Sequence, residues 1–200
     1  MSTGTNYKGY KVTTGPAAYP LSVDEARLHL NLPAGLVSDE LLTSLIAAAT
    51  KTVESYTGLA LISQAIQQIH DGFPQGRRVI LLRVAPATAV TSITYTDTAG
   101  DSQTWSNTEY DVDLVSFPPR INPKPDFFYP MSSTKIASVA VNYTAGFGAT
   151  KAAIPSDIVH AVKLTLTDFY ENRDDRARTI QTASQALLST YRMYEHYFEC

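Results

Sequence analysis

The feature that most constrains this chain is a change of hydrophobic period, made twice. In SDELLTSLIAAATKTVESYTG (38–58) apolar residues fall at Leu42, Leu45, Ile46, Ala49, Val53 and Tyr56, the spacing of one helical face. From 61 to 145 that spacing gives way to alternation, in LISQAIQQIHDGF, VTSITYTD, EYDVDLVSF and KIASVAVNYTAG, and to one short apolar run, RVILLR (78–83), with Arg at each end. The helical period then returns in SDIVHAVKLTLTDFYENR, where Ile158, Val162, Thr165, Leu166 and Phe169 share a face. The helices before residue 60 bury little apolar surface by themselves, and the helix after Pro155 supplies the missing face. These periods predict an α+β fold: a small helical bundle with an inserted antiparallel β block between the second and third helices.

Local signals set the boundaries. Ser22 and Glu25 form a capping box that opens a helix over about 23–31, limited by Pro33. Asp39 and Glu40 follow Ser38, where the helix dipole favours anions, and Gly58 is a C-terminal stop. TAGD (98–101) reads as the turn of a hairpin. FPPRINPKPDFFYP (117–130) carries five of the eleven prolines and reads as a loop closed to helices and central strands. The expected organisation is an N-terminal arm over 1–20, a bundle from 21–60 and 150–181, a β block over 61–149, and a C-terminal tail over 182–200.

Composition narrows the function classes. Lys+Arg number 16 against Asp+Glu 19, a net charge of −3, so no basic field drives nucleic-acid binding. The one cysteine, Cys200, permits no intrachain disulfide and argues against a cysteine metal site. The first twenty residues lack the apolar core of a signal peptide, and no run is long and apolar enough for a membrane span, so a cytosolic setting is expected. Twelve tyrosines are many, and tyrosine suits strands and half-wet interfaces.

The chemistry-bearing candidates are weighed one by one. VNYTAGFGATKAAIP (141–155) has the outline of a phosphate loop, but Lys151 follows Gly148 by three residues and the helix begins only near Pro155, so neither nucleotide fingerprint is met. Gly146, Gly148 and Pro155 read instead as a structural turn. His29, His70, His160 and His196 are scattered, no two of them share a ligand spacing, and each reads as a surface or half-buried histidine. Asp97, Asp101, Asp111 and Asp113 lack calcium-loop spacing, and the sequon at Asn142 falls in a strand. The expectation is no catalytic residue, no cofactor and no metal.

The ordered set of segments resembles a known family. LSVDEARLHLNLP, then DELLTSLIAAATKTVESYTGLALI, then VNYTAGFG and IPSDIVHAVKLTLTDFYENRDD look like the head-tail connector (adaptor) proteins of tailed bacteriophages and gene transfer agents. The resemblance covers roughly 21–66 and 135–178. It implies a structural virion protein, assembled in the bacterial cytoplasm, that forms a ring, typically of twelve subunits. The ring would lie between the portal of the DNA-filled head and the tail or stopper protein, with DNA passing through its channel without specific binding.

Two residue groups acquire expected roles from that resemblance. Arg173, Asp174, Asp175, Arg176 and Arg178 are candidates for ion pairs between neighbouring subunits, against the plainer reading of a solvated helix end. Leu187, Tyr191, Tyr194 and Phe198, spaced 4, 3 and 4, make an apolar stripe with Arg192 beside it. That tail either folds back on its own bundle or docks into the portal. Another tail-completion component, or a ligand-binding domain or enzyme with an unrecognised site, is the alternative.

Overall fold

The computed structural model describes residues 7–33, 35–76, 79–172 and 183–193. The chain divides into two compact units, one of residues 16–62 and 147–192, the other of residues 1–15, 63–146 and 193–200.

The first unit is helical. α1 (Val23–His29) starts on the expected capping box, with the Ser22 hydroxyl and the Glu25 carboxylate each satisfying the other's amide. It stops two residues short of the predicted end because Asn31 turns left-handed, with φ 52°. α2 (Asp39–Thr57) is capped by Ser38 at one end and by left-handed Gly58 at the other. Leu42, Ile46, Ala49 and Val53 are its buried stripe, and Thr50 and Thr57 lie on it too, each hydroxyl donating to the carbonyl four residues back. α3 (Ser156–Glu171) buries Ile158, Ala161, Val162, Thr165 and Leu166, while Phe169 is only half-buried. α2 packs on α3, α1 touches both, and α4 (Ala183–Leu188) lies on α3 and α2. No helix among the described residues is long and apolar enough to cross a membrane.

The second unit is antiparallel β. A five-stranded sheet runs β1-β2-β8-β4-β5 and a three-stranded sheet runs β3-β7-β6. The strands are β1 (Tyr7–Thr14), β2 (Gln64–His70), β3 (Ile80–Leu81), β4 (Ala87–Thr96), β5 (Ser102–Trp105), β6 (Tyr110–Asp113), β7 (Arg120–Pro123) and β8 (Val139–Ala145). β2 and β8 alternate strictly between buried and half-buried residues, and Gln64 pairs with Ala145, so the chain enters and leaves the sheet on adjacent strands. The β4–β5 hairpin turns on Asp97, whose carboxylate accepts from the amides of Ala99, Gly100 and Asp101.

Two expectations are corrected here. The N-terminal segment is not simply an arm: residues 7–14 form the edge strand β1, paired with β2 through main-chain bonds. The side chains of Tyr10 through Thr14 are all exposed, so no alternation of burial marked it. The proline-rich stretch contains a central strand, β7. Prolines 118 and 119 precede it, and Pro123 closes it. The Lys124 amide donates to Glu109 beside β6, so alternation turns the missing Pro123 donor towards β3, beyond the Ile80–Ile121 pair where that ladder is described to end.

An aromatic cluster ties the two sheets together. Phe73 stands at 5.2–5.5 Å from Tyr95, Trp105 and Tyr129, and Trp105 at 4.7 Å from Tyr110. The Trp105 indole donates to Glu109 at 2.9 Å. Edge and stacked contacts of this kind each contribute about 0.5–1.5 kcal/mol beyond their burial.

Candidate functional site

The glycine turn is a backbone device. Gly146 has φ 137°, a region that other residues rarely enter, and its amide donates to Pro86 at 2.8 Å. Gly148 serves a different need, since a Cβ there would stand 2.6 Å from the Ala153 Cβ. Pro155 accepts from the Val159 amide and sets the start of α3. Lys151 is committed to Glu25 of α1 by an ion pair, and the Glu25 carboxyl is held below its ordinary range, first by Lys151 and then by the Ser22 amide.

The other titratable candidates serve structure as well. His70 is buried and its pKa is lowered to about 4, because burial disfavours the charged ring. Its ring nitrogen lies 3.0 Å from the Gln68 amide nitrogen. Gln68, fully buried, also donates to the Leu81 carbonyl and accepts from the Arg83 amide, both at 2.8 Å. The Tyr143 hydroxyl accepts from the Val84 amide at 3.1 Å. Together they fasten residues 81–84 under the sheet, a network hidden in sequence behind isolated glutamines.

His29 and His160, 131 positions apart, are brought near Lys163. The His29 pKa is lowered first by burial, then by the charges of Lys163 and His160. Asp113 is pulled down to about 2, first by the Ser116 hydroxyl and amide, with Arg120 further along. Asn142 bridges three strands, accepting from Gln67 at 2.9 Å and donating to Ser92 at 3.0 Å. Among the described residues no three of His, Cys, Asp and Glu are grouped to hold a metal.

Of the tail, the described part lies on its own unit. α4 ends at Leu188 and a 3-10 turn takes over through Tyr191, so Leu187 and Tyr191 are not on one continuous α-helix. The buried residues are Ser184 and Leu188, with Leu187 half-buried. The Tyr191 hydroxyl donates to Asp157 at 2.7 Å, and the Arg192 guanidinium lies 5.1 Å above the Tyr56 ring. Tyr194 and Phe198 lie outside the described residues, as do His196, Arg173, Asp174, Asp175, Arg176 and Arg178.

A cleft of about 480 Å³ opens between the C-terminal halves of α2 and α3 and α4, walled by Val53, Tyr56, Leu164, Phe169 and Leu188. Tyr56, Leu164 and Phe169 are left half-exposed there. Elsewhere on this unit Leu28, Leu36 and Leu41 face solvent, and on the β unit Val115, Phe128 and Met131 do.

The head completion protein family model matches residues 21–196, and the chain belongs to that family of structural head–tail connector proteins. Among solved structures it is similar to a chain of the virion of a native gene transfer agent particle, with 30% identity, TM-score 0.79, 92% of this chain and 95% of that chain covered. It is similar as well to a chain from the neck of an empty particle computed with C6 symmetry, at 28% identity, TM-score 0.80 and coverage of 94% and 96%. A third similarity is to a chain from the neck of a native particle computed with C12 symmetry, at 27% identity, TM-score 0.76 and the same coverage. No curated protein matches the chain.

Proposed function

We propose that this chain is a ring-forming adaptor between the portal of a DNA-filled head and the tail. The observation that carries the reading is similarity over nearly the whole chain to chains of particle necks computed with sixfold and twelvefold symmetry. A net charge of −3 suits a channel wall that lets DNA pass without holding it. The role is one of contact rather than catalysis.

The tail divides within this reading. Residues 183–192 belong to the bundle, and docking into the portal falls to the segment after Met193, which contains Tyr194 and Phe198. Arg173, Arg176 and Arg178 pair with acids such as Asp174 and Asp175 across the subunit boundary. Single exposed pairs contribute only about 0–1 kcal/mol, so several act together.

Two truncations test this. Stopping after Met193 is expected to leave the melting temperature unchanged and to abolish attachment to portal-bearing heads. Stopping after Gln181 is expected to cost stability as well, about 1.5–3 kcal/mol for the lost burial of one leucine, Leu188. Full attachment by the first truncation would remove portal docking from the tail. Native mass and negative-stain images of the chain, alone and in particles, test the ring, and a compact monomer absent from every neck would overturn it.

A further inference from the structure

Strand β1 is fastened to its sheet by backbone rather than by packing. Its ladder to β2 runs from Tyr7 opposite His70 to Thr14 opposite Ala65, and the Thr13 hydroxyl donates to the Ala65 carbonyl at 3.1 Å. Every residue from Tyr10 to Tyr19 is exposed, through the rest of the strand and into the link beyond it. Burial resumes only at Pro20 and Leu21, just before α1. The link is Gly15-Pro16-Ala17-Ala18-Tyr19-Pro20, which when fully extended reaches roughly 20 Å.

β2 needs a strand on this side, since without one its backbone groups form an open edge. The structure shows which segment covers that edge, and main-chain bonds do not require the segment to come from the same chain. A β1 from a second copy makes the same bonds in the same register. The outer edge of β1 is guarded in its turn: the ladder shifts register between Tyr7 and Gly9 and between Val12 and Thr14, and Lys11 is exposed between the shifts. Irregularities and lysines of this kind stop a sheet from growing further, so β2 takes one β1 and whole sheets do not stack edge to edge. We infer that in the ring each copy lays residues 7–14 on β2 of the next copy, in the register that the single chain shows. The donated strand and the accepting edge are different surfaces, so the exchange is head-to-tail. Every copy gives one strand and takes one, and the chain of exchanges closes when the rotation between copies divides a full turn. Exchange replaces bonds with identical bonds. A lone chain therefore keeps its own strand through the tether, which is worth an effective concentration on the order of millimolar for a short link, and copies held side by side in a neck supply a comparable one. The inference rests on the ring reading above and deepens it by naming what joins the copies.

The experiment places Lys11→Cys and Gln67→Cys, which stand opposite each other in the ladder, in a chain that also carries Cys200→Ser to remove the native thiol. Particles are assembled under reductant, oxidised only afterwards, and run without reductant. The expected result is a ladder of covalent oligomers that extends beyond the dimer and needs both cysteines. Monomer alone, with or without an internal crosslink, from preparations whose images contain rings, would overturn the inference and leave the ring standing. A covalent dimer and nothing larger would mean reciprocal exchange between two copies and would overturn it too. In parallel, Tyr10→Pro with Lys11→Pro removes ladder donors from β1 at two exposed positions. The helical circular dichroism of the lone variant is expected to keep its melting temperature, and ring assembly to weaken about tenfold or more, the scale of a ladder bond lost at each junction. Unchanged assembly by that variant would count against the exchange. If the unsubstituted chain makes no ring in any particle, the ring reading fails and this inference fails with it.

Discussion

Leu166 of the helical unit and Gln68 of the β unit are both fully buried, at 0% exposure, yet they hold their surroundings by different means. Leu166 lies on a stripe of aliphatic and small residues contributed by α2 and α3, whose contacts are non-directional. Gln68 is fixed by hydrogen bonds to two main-chain groups and to His70, and each has a required distance and angle. The comparison teaches that a helical core can absorb a changed shape with a graded loss, whereas the β unit depends on one arrangement of polar groups in a place without water. The single tryptophan, Trp105, lies in the β unit, so its fluorescence follows that unit while helical circular dichroism follows the other.

The largest expected effect is on the helical side. Leu166→Ala should cost about 2–5 kcal/mol through lost transfer energy and a residual cavity. Urea titration read by circular dichroism should shift accordingly, and the Trp105 transition should shift less. Coincident shifts of equal size would mean that the two units unfold as one.

The next effect is pH dependence confined to the β unit. His70 has a folded pKa of about 4 against 6.5 for the free ring, so between those values the unfolded chain binds the extra proton. Stability is therefore full above pH 6.5 and falls as pH drops towards 4, by at most about 3 kcal/mol, since each tenfold change in proton affinity is worth about 1.4 kcal/mol. Trp105 fluorescence should record the fall, and His70→Gln should flatten it. A slope unchanged in that variant would assign the acid sensitivity to other groups.

A smaller effect tests the glycine turn. Gly148→Ala should cost about 1–3 kcal/mol by overpacking against Ala153. Adding Ala153→Gly should restore part of it in the same denaturation assay. The smallest is Ser22→Ala, expected to cost about 1 kcal/mol for one lost cap and to move only the helical transition.

What the sequence by itself determined was whatever is decided within a few residues. The Ser22–Glu25 box, the Ser38 cap, the Gly58 stop and the apolar spacing of α2 and α3 involve neighbours one to four positions apart, and each is legible in the chain alone. The place of the β block between the second and third helices followed from its change of period. Tertiary structure decided the rest. β1 buries no described side chain and exists through main-chain bonds to a strand some fifty residues away, bonds that no side-chain pattern encodes. β7 holds Pro123 one step past the described end of its ladder to β3, a matter of the neighbouring strand rather than of local sequence. His70 and Gln68 look like ordinary polar letters until residues 81–84 are laid beneath them. The stripe through Leu187 and Tyr191 had two fates of equal local plausibility. In the structure Tyr191 and Arg192 meet Asp157 and Tyr56, partners 34 and 136 positions distant, because a helical stripe specifies that something must cover it and only the assembled fold supplies the contact.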